Sequence, residues 1–168
     1  VHSHLYWESP KENRNHIDAL ISKVKKTDIF ILPELFSTAF SVTCKGEVMN
    51  GESMQWMSKL AQQKQASVVG SLIITENGKK YNRLIWMNPD STYFHYDKRH
   101  LFNLMNEGDY FKAGKDRLII DFNGWKICPL ICYDLRFPVF SRNNENFDLL
   151  FYIANWPVSR IDHWDKLL

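Results

Sequence analysis

The sequence predicts a single α/β domain in which helices cover a mixed β-sheet. Two observations predict this class. Segments with helical periodicity alternate with short apolar runs typical of buried strands, and hairpin turns lie between several of those runs. The 168 residues are enough for one core, and the chain contains no repeats, low-complexity segments or linkers. We therefore expect residues 1–168 to form one domain.

Two longer helices are predicted in the first part of the chain. The first begins at Ser9, where Ser9, Pro10 and Glu12 resemble a capping box with proline at the first helical position. The apolar residues that follow have the i, i+3, i+4, i+7 spacing of one buried helical face: Ile17, Leu20, Ile21 and Val24. The second helix is predicted near 53–66, with three residues facing inward: Met57, Leu60 and Ala61.

Apolar runs and turn signals predict the strands. Asn77-Gly78 and Asn123-Gly124 are typical of hairpin turns. The stretch 100–116 is predicted to be rich in loops, and a short helix is expected near Pro138. The predicted strands, in chain order, are DIFILPELF, ASVVGSLII, YNRLIWMN, TYFHYDK, RLIIDF, WKICPLIC and DLLFYIA.

Composition excludes several classes of protein. A net charge of +2 is too small to indicate nucleic acid as the main partner, and no apolar run is long enough to span a membrane. Three cysteines without metal-ligand spacing, Cys44, Cys128 and Cys132, predict neither a metal site nor a disulfide framework. This usage fits a cytoplasmic protein. Because the chain starts with Val1 and stops inside a predicted helix, we expect the natural protein to continue at both ends.

Three ionisable residues share one setting, at or just beyond the end of an apolar run. They are Glu34 in LPELF, Lys98 in YDKRHLF and Cys132 in LICYDLRFP. If their strands are neighbours, the three side chains meet at one rim. An attacking thiol needs a nearby cation or base. Lys98 could supply the cation, and later hold the negative oxygen of a tetrahedral intermediate, and Glu34 could supply the base.

These motifs, in this order, resemble the Glu-Lys-Cys signatures of the nitrilase superfamily of carbon–nitrogen hydrolases. The stretch ANWP at 154–157 is similar to a further family motif, and the resemblance covers essentially the whole chain. The sequences DKRHLF, CYDLRFPV and YIANWP look closest to the omega-amidase branch. Enzymes of that branch hydrolyse the terminal amide of short 2-oxo dicarboxylic acid monoamides.

The resemblance implies a fold and a set of roles. It implies a four-layer α-β-β-α sandwich, a homodimer or larger homo-oligomer, and no metal or organic cofactor. It makes Cys132 the nucleophile, Glu34 the general base and Lys98 the electrostatic stabiliser, with the Tyr133 N–H as a second oxyanion donor. Glu107 is implied as a supporting residue. It also implies that the single domain is incomplete here, because a family domain extends roughly a hundred residues further.

Other interpretations stay open for several residues and for the activity. Trp156 is equally compatible with the pocket wall and with core packing. Arg99 and His100 are read as a solvated basic loop, and Asp134 and Arg136 as a pair or a cap for the short helix. The same triad would also serve a nitrilase or a carbamoyl-amide hydrolase, and a non-catalytic subunit could keep the fold. The expected partner is a small-molecule amide, with neither nucleic acid nor membrane.

Overall fold

The computed structural model describes residues 1–168 and contains two separate sheets. The first has the order β1-β2-β3-β4 and the second the order β5-β6-β7. The strands of the first sheet are β1 (Ile29–Ile31), β2 (Ser67–Glu76), β3 (Lys79–Met87) and β4 (Tyr93–Asp97). Those of the second are β5 (Ile120–Phe122), β6 (Trp125–Ile131) and β7 (Leu149–Ile153). The strand pattern predicts one mixed sheet, and this is corrected to two.

Each sheet is itself mixed. In the first, β1 pairs parallel with β2, while the β2-β3 and β3-β4 pairs are antiparallel. In the second, β5 pairs antiparallel with β6, and β6 pairs parallel with β7. The Asn77-Gly78 and Asn123-Gly124 turns have positive φ at both residues, as two-residue hairpin turns require. Both predicted hairpins are therefore present.

The helices are α1 (Pro10–Ile21), α2 (Glu52–Lys64), α3 (Glu107–Tyr110), α4 (Pro138–Ser141) and α5 (Ile161–Leu167). Short 3-10 turns lie at 103–105, 132–136 and 158–160. None of the helices is long and apolar enough to cross a membrane.

Two apolar layers lie on opposite faces of the first sheet. One joins that sheet to α1 and α2, through Ile17, Met57 and Leu72 among others. The other lies between the two sheets and includes Trp86 and Leu130. Successive β2 residues point to opposite layers, which is why this strand is a nearly continuous apolar run. The predicted α/β class is confirmed.

The first helix differs from its prediction at both ends. It stops at Ile21, and Val24 beyond it is 38% exposed. Ser9 makes no capping bond, because its hydroxyl donates instead to the carbonyl of Trp7 at 3.0 Å. Asn13 takes the buried position near the helix start, and its amide donates to the carbonyl of Ser37 at 2.8 Å. In α2, the three residues predicted to face inward are buried, and Ser53 and Met54 are buried as well.

Ends of strands from both sheets meet at one point. The Glu34 N–H, just beyond β1, donates to the carbonyl of Ala154, just beyond β7, at 3.4 Å. The chain after β4 returns to the same region, since the Lys98 N–H donates to the carbonyl of Asn82 in β3 at 2.9 Å. The fold thus gathers the segments that carry the three predicted site residues.

Candidate active site

Glu34 is held from both sides of the rim. The neighbouring Leu35 N–H donates to the Ser71 hydroxyl at 2.8 Å, which fixes the turn after β1. The Glu34 side chain is fully buried. Its Oε2 accepts the backbone N–H of Asn155 at 3.1 Å, and its Oε1 accepts a hydrogen bond from Lys98 Nζ at 2.7 Å. The carboxylate is therefore fixed by groups from both sheets.

Lys98 directly follows β4 and is also fully buried. Its carbonyl accepts the N–H of Gly114 at 3.0 Å, which ties the strand end to the returning loop. Nζ lies 2.7 Å from Oε1 of Glu34 and 2.8 Å from Oε2 of Glu107. One ammonium thus faces two carboxylates in the core.

Glu107 begins α3, inside the stretch predicted to be rich in loops. It is fully buried, and its Oε2 also accepts the backbone N–H of Phe102 at 2.6 Å. That bond holds the segment before α3 against the cluster. The structure therefore brings this predicted supporting residue into contact with Lys98.

Asn82 completes the cluster and was not predicted. Its Nδ2 donates to Oε1 of Glu34 and to Oε1 of Glu107, both at 2.9 Å. Its own Oδ1 is buried without a hydrogen-bond partner. The Asn82 amide offsets part of the repulsion between the two carboxylates, because its NH₂ group donates a hydrogen bond to each of them. The available signal was an asparagine within an apolar strand, a residue type depleted there.

Cys132 is the first residue after β6 and has a φ of +43°. Residues other than glycine rarely adopt this left-handed backbone conformation, and such backbone strain is concentrated at functional sites. Asp134 holds the turn: its Oδ2 accepts the Ile131 N–H at 3.0 Å and the Tyr96 hydroxyl at 2.7 Å. The thiol residue is 7% exposed, at the surface of a cavity.

Charge balance sets the protonation of Lys98 and Glu34. Burial disfavours the Lys98 ammonium, but the carboxylates of Glu34 and Glu107 outweigh burial, so the pKa of Lys98 is raised. Burial is also the main cause that raises the pKa of Glu34, with the charge of Glu107 acting in the same direction and Lys98 opposing both. Lys98 is therefore a permanent cation, and Glu34 is a carboxylate with increased affinity for a proton.

A cation such as Lys98 beside a thiol is expected to lower the pKa of the thiol, but the pKa of Cys132 is shifted in the opposite direction. Burial and the charge of Glu34 raise the pKa of Cys132 well above its ordinary value of 9.0. Lys98 lowers the pKa of the thiol, but its charge is already shared with two carboxylates. The resting cysteine is therefore protonated, and Glu34, whose charge acts on the thiol, is the candidate base.

The thiol opens onto a cavity of about 240 Å³. Tyr133 and Trp156, both predicted as supporting residues, line it together with Lys98. Trp156 is anchored because its Nε1 donates to the carbonyl of Arg160 at 2.8 Å. Both of its interpretations hold, because Trp156 lines the cavity and also packs against the core between the sheets. The wall is mostly apolar, and it contains no acidic side chain.

His100 and Asp134, beside the lysine and cysteine motifs, are packed, which corrects two interpretations. His100 is not solvated: its ring stacks on Phe137 at 3.7 Å between centroids, and its Nδ1 lies 2.8 Å from Oδ1 of Asp134. Asp134 does not pair with Arg136, whose Nη2 lies 2.6 Å from Nδ1 of His163 instead. Asp134 thus couples the lysine loop to the cysteine turn. Arg99, in contrast, is exposed as predicted, and its guanidinium donates to the carbonyl of Gly114 at 3.0 Å.

Metal-binding potential is limited in this structure. No group of three or more His, Cys, Asp or Glu side chains is arranged to hold a metal ion. The three cysteines are free thiols.

Comparison with protein families gives a match over almost the entire chain. The family model described as "Carbon-nitrogen hydrolase" matches residues 2–168. An omega-amidase of Yersinia enterocolitica is 38% identical over 165 residues, covering 98% of this chain and 64% of that protein. A 2-oxoglutaramate amidase of Bacillus subtilis is 35% identical over 172 residues, covering 98% of this chain and 66% of that protein. The chain thus spans less than two thirds of the length of these relatives.

Solved structures agree on the fold. The crystal structure of a CN-hydrolase superfamily protein from Xanthomonas campestris superposes with a TM-score of 0.96 at 39% identity, covering 100% of this chain and 68% of that chain. Nit3 of Saccharomyces cerevisiae, a member of branch 10 of the nitrilase superfamily, gives a TM-score of 0.79 at 24% identity. It covers 97% of this chain and 66% of that one. The predicted nitrilase-type sandwich is confirmed.

Proposed function

The chain belongs to the carbon–nitrogen hydrolase family. On this premise we propose that the protein is an amidase that releases ammonia from the terminal amide of a small 2-oxo acid. The reaction passes through a thioester on Cys132. One observation carries this proposal: a buried cluster of Glu34, Lys98 and Glu107 lies beside a thiol that opens onto a cavity.

The first half of the reaction forms the thioester. Glu34 takes the proton of the Cys132 thiol as sulfur attacks the amide carbon, since the raised pKa of the thiol requires a base. The carbonyl oxygen becomes an oxyanion, which the Lys98 ammonium and the Tyr133 N–H stabilise. Glu34 then passes the proton to the nitrogen, the C–N bond breaks, and ammonia leaves.

The second half returns the free enzyme. Glu34 takes a proton from water, and the hydroxide attacks the thioester carbon at the same oxyanion site. The C–S bond then breaks, the sulfur regains its proton from Glu34, and the product leaves as an acid. Splitting the reaction replaces one difficult step by two easier ones. Glu107 and Asn82 act as positioning residues, because each forms a hydrogen bond with a member of the triad.

The substrate class rests on two supports. The relatives from Yersinia enterocolitica and Bacillus subtilis are named omega-amidase and 2-oxoglutaramate amidase. The cavity of about 240 Å³ is compact and mostly apolar, which suits a short molecule and not a polymer. A 2-oxo dicarboxylic acid monoamide of four or five carbons is the proposed substrate.

A panel of amides tests the proposal. The natural full-length protein is incubated with 2-oxoglutaramate, succinamate, a simple nitrile and a carbamoyl amine, and ammonia is measured. We expect the two acid monoamides to have the highest kcat/KM, and Cys132→Ala to abolish the release. Faster turnover of the nitrile or the carbamoyl amine would assign the same triad to those reactions instead. No turnover of any amide would favour a non-catalytic subunit.

Assembly and location stay predictions. The homodimer implied by the family resemblance is tested by light scattering of the natural protein at several concentrations. Cytoplasmic location is tested by cell fractionation. A monomer at all concentrations, or recovery outside the cytoplasm, would contradict them.

A further inference from the structure

The cavity wall contains two cationic side chains, and they differ in how their charge is balanced. Lys98 is paired with Glu34 and Glu107 behind the wall. Arg160, on another part of the wall, forms no ion pair, and its side chain makes no hydrogen bond within the chain. On this basis we infer that Arg160 binds the free carboxylate of the substrate and selects acid amides over neutral ones. The inference rests on the proposed function and deepens it.

The electrostatics of the wall favour an anion at this position. No aspartate or glutamate lines the cavity, so the Arg160 guanidinium has no competing partner there. Most of the remaining wall is apolar, with Phe40, Phe102 and Trp156 among its residues. An unpaired cation beside apolar, low-dielectric walls attracts an anion more strongly than one in open water.

The position of Arg160 is defined by contacts with the rest of the site. Its guanidinium carbon lies 5.1 Å from the centre of the Phe102 ring, within cation–π range. Its carbonyl accepts the Trp156 Nε1–H at 2.8 Å, and its N–H donates to the carbonyl of Pro157 at 2.9 Å. Because the backbone N–H of Phe102 is bonded to Glu107, a single aromatic residue connects the arginine to the buried cluster.

The chemistry of arginine narrows the ligand to a planar oxyanion. A guanidinium presents a rigid fork of donors that pairs with both oxygens of a carboxylate. Cys132 lies on the same cavity, so a short molecule can place its amide carbon at sulfur and its carboxylate at the arginine. A short monoamide with a carboxylate at the opposite end has this arrangement. A neutral amide of equal length would leave the guanidinium without a partner.

Binding measurements on an inactive variant test the inference without turnover. In the natural full-length protein, Cys132→Ala is titrated by calorimetry with succinamate and with butyramide, its neutral counterpart. Adding Arg160→Gln should lower the affinity for succinamate at least tenfold more than the affinity for butyramide. The reason is that a charge-assisted hydrogen bond contributes about 10- to 100-fold to affinity. Arg160→Lys should retain part of the discrimination, because it keeps the charge and loses the fork.

Controls separate the possible outcomes. Arg142→Gln removes the same charge from an exposed position off the cavity and should not alter discrimination. Equal weakening of both ligands by Arg160→Gln, or no weakening, would overturn the inference. In the active enzyme, acid monoamides that are hydrolysed with unchanged KM in Arg160→Gln would overturn it too, and the proposed function would stand. If the unmodified enzyme hydrolyses no acid monoamide, the proposed function fails first and this inference with it.

Discussion

Glu34 and Lys98 should have opposite effects on the reactivity of the thiol, although both should be required for hydrolysis. The Glu34 charge raises the pKa of Cys132, and the Lys98 charge lowers it. Glu34→Gln keeps the shape and removes the charge, so the thiol should ionise more readily. Lys98→Met removes the one cation beside sulfur, so the thiol should ionise less readily.

The size of the effect follows from the burial of both groups. A unit charge about 4 Å away, at an effective dielectric constant of about 20, contributes about 4 kcal/mol, or roughly three pKa units. A thiolate of lower pKa is less nucleophilic, which cancels about half of that gain on a logarithmic scale. Alkylation of Cys132 in Glu34→Gln should therefore be about 30-fold faster near neutrality. Amide hydrolysis should fall by about 10²–10⁴-fold, because the base is gone.

The assay combines two rates on the same samples. Iodoacetamide labelling at pH 7 is followed by peptide mapping, with Cys128 as the internal control, because burial raises its pKa to about 11 without contact with the triad. Ammonia release gives the hydrolytic rate. Since Lys98→Met leaves two buried carboxylates unpaired, its thermal unfolding is measured first.

A parallel loss of both rates in Glu34→Gln would refute this reasoning. It would mean that the carboxylate mainly activates the thiol by hydrogen bonding and does not mainly repel the thiolate. Faster labelling in Lys98→Met would refute the sign assigned to the ammonium.

Three further outcomes follow from the same cluster. Cys132→Ala should abolish ammonia release and leave the circular dichroism spectrum unchanged, and Cys132→Ser should be nearly inactive; wild-type release from either would contradict the nucleophile assignment. Asn82→Ala should lower kcat about 10- to 100-fold with little change in KM, since it removes a hydrogen-bond donor from Glu34 and Glu107; a change confined to KM would count against a positioning role. Labelling of wild-type Cys132 should rise about tenfold per pH unit from pH 7 to 9, because a raised pKa leaves the thiolate a minor species below it; a plateau near pH 7 would contradict the raised pKa.

The strand ends were predictable because apolar runs stop abruptly at polar residues. LPELF and LICYDLRFP contain that switch, so the sequence alone places Glu34 and Cys132 at a rim. The pairing of strands could not be inferred in the same way. A strand such as RLIIDF could pair with any of several other predicted strands. Only tertiary packing decides which strands share a sheet.

The pKa of the thiol and the role of Asn82 lay beyond sequence reasoning for a physical reason. Both depend on how completely water is excluded and on which side chain from a distant strand fills the space. Lys98 near Cys132 suggested a thiolate, but burial and the Glu34 carboxylate reverse the sign. The prediction for His100 was wrong because its partner, Asp134, lies 34 positions away along the chain.

The way in which the two halves of the site are anchored affects how its relatives can diverge. Glu34, Lys98 and Glu107 are fully buried and share hydrogen bonds, so replacing any one disturbs the others. The side chains of Trp156 and Arg160 are only partly buried and make no hydrogen bond to that network. Substitutions there can change which molecule fits while the bond-breaking groups stay in place. Paralogues should therefore diverge in substrate before they diverge in chemistry.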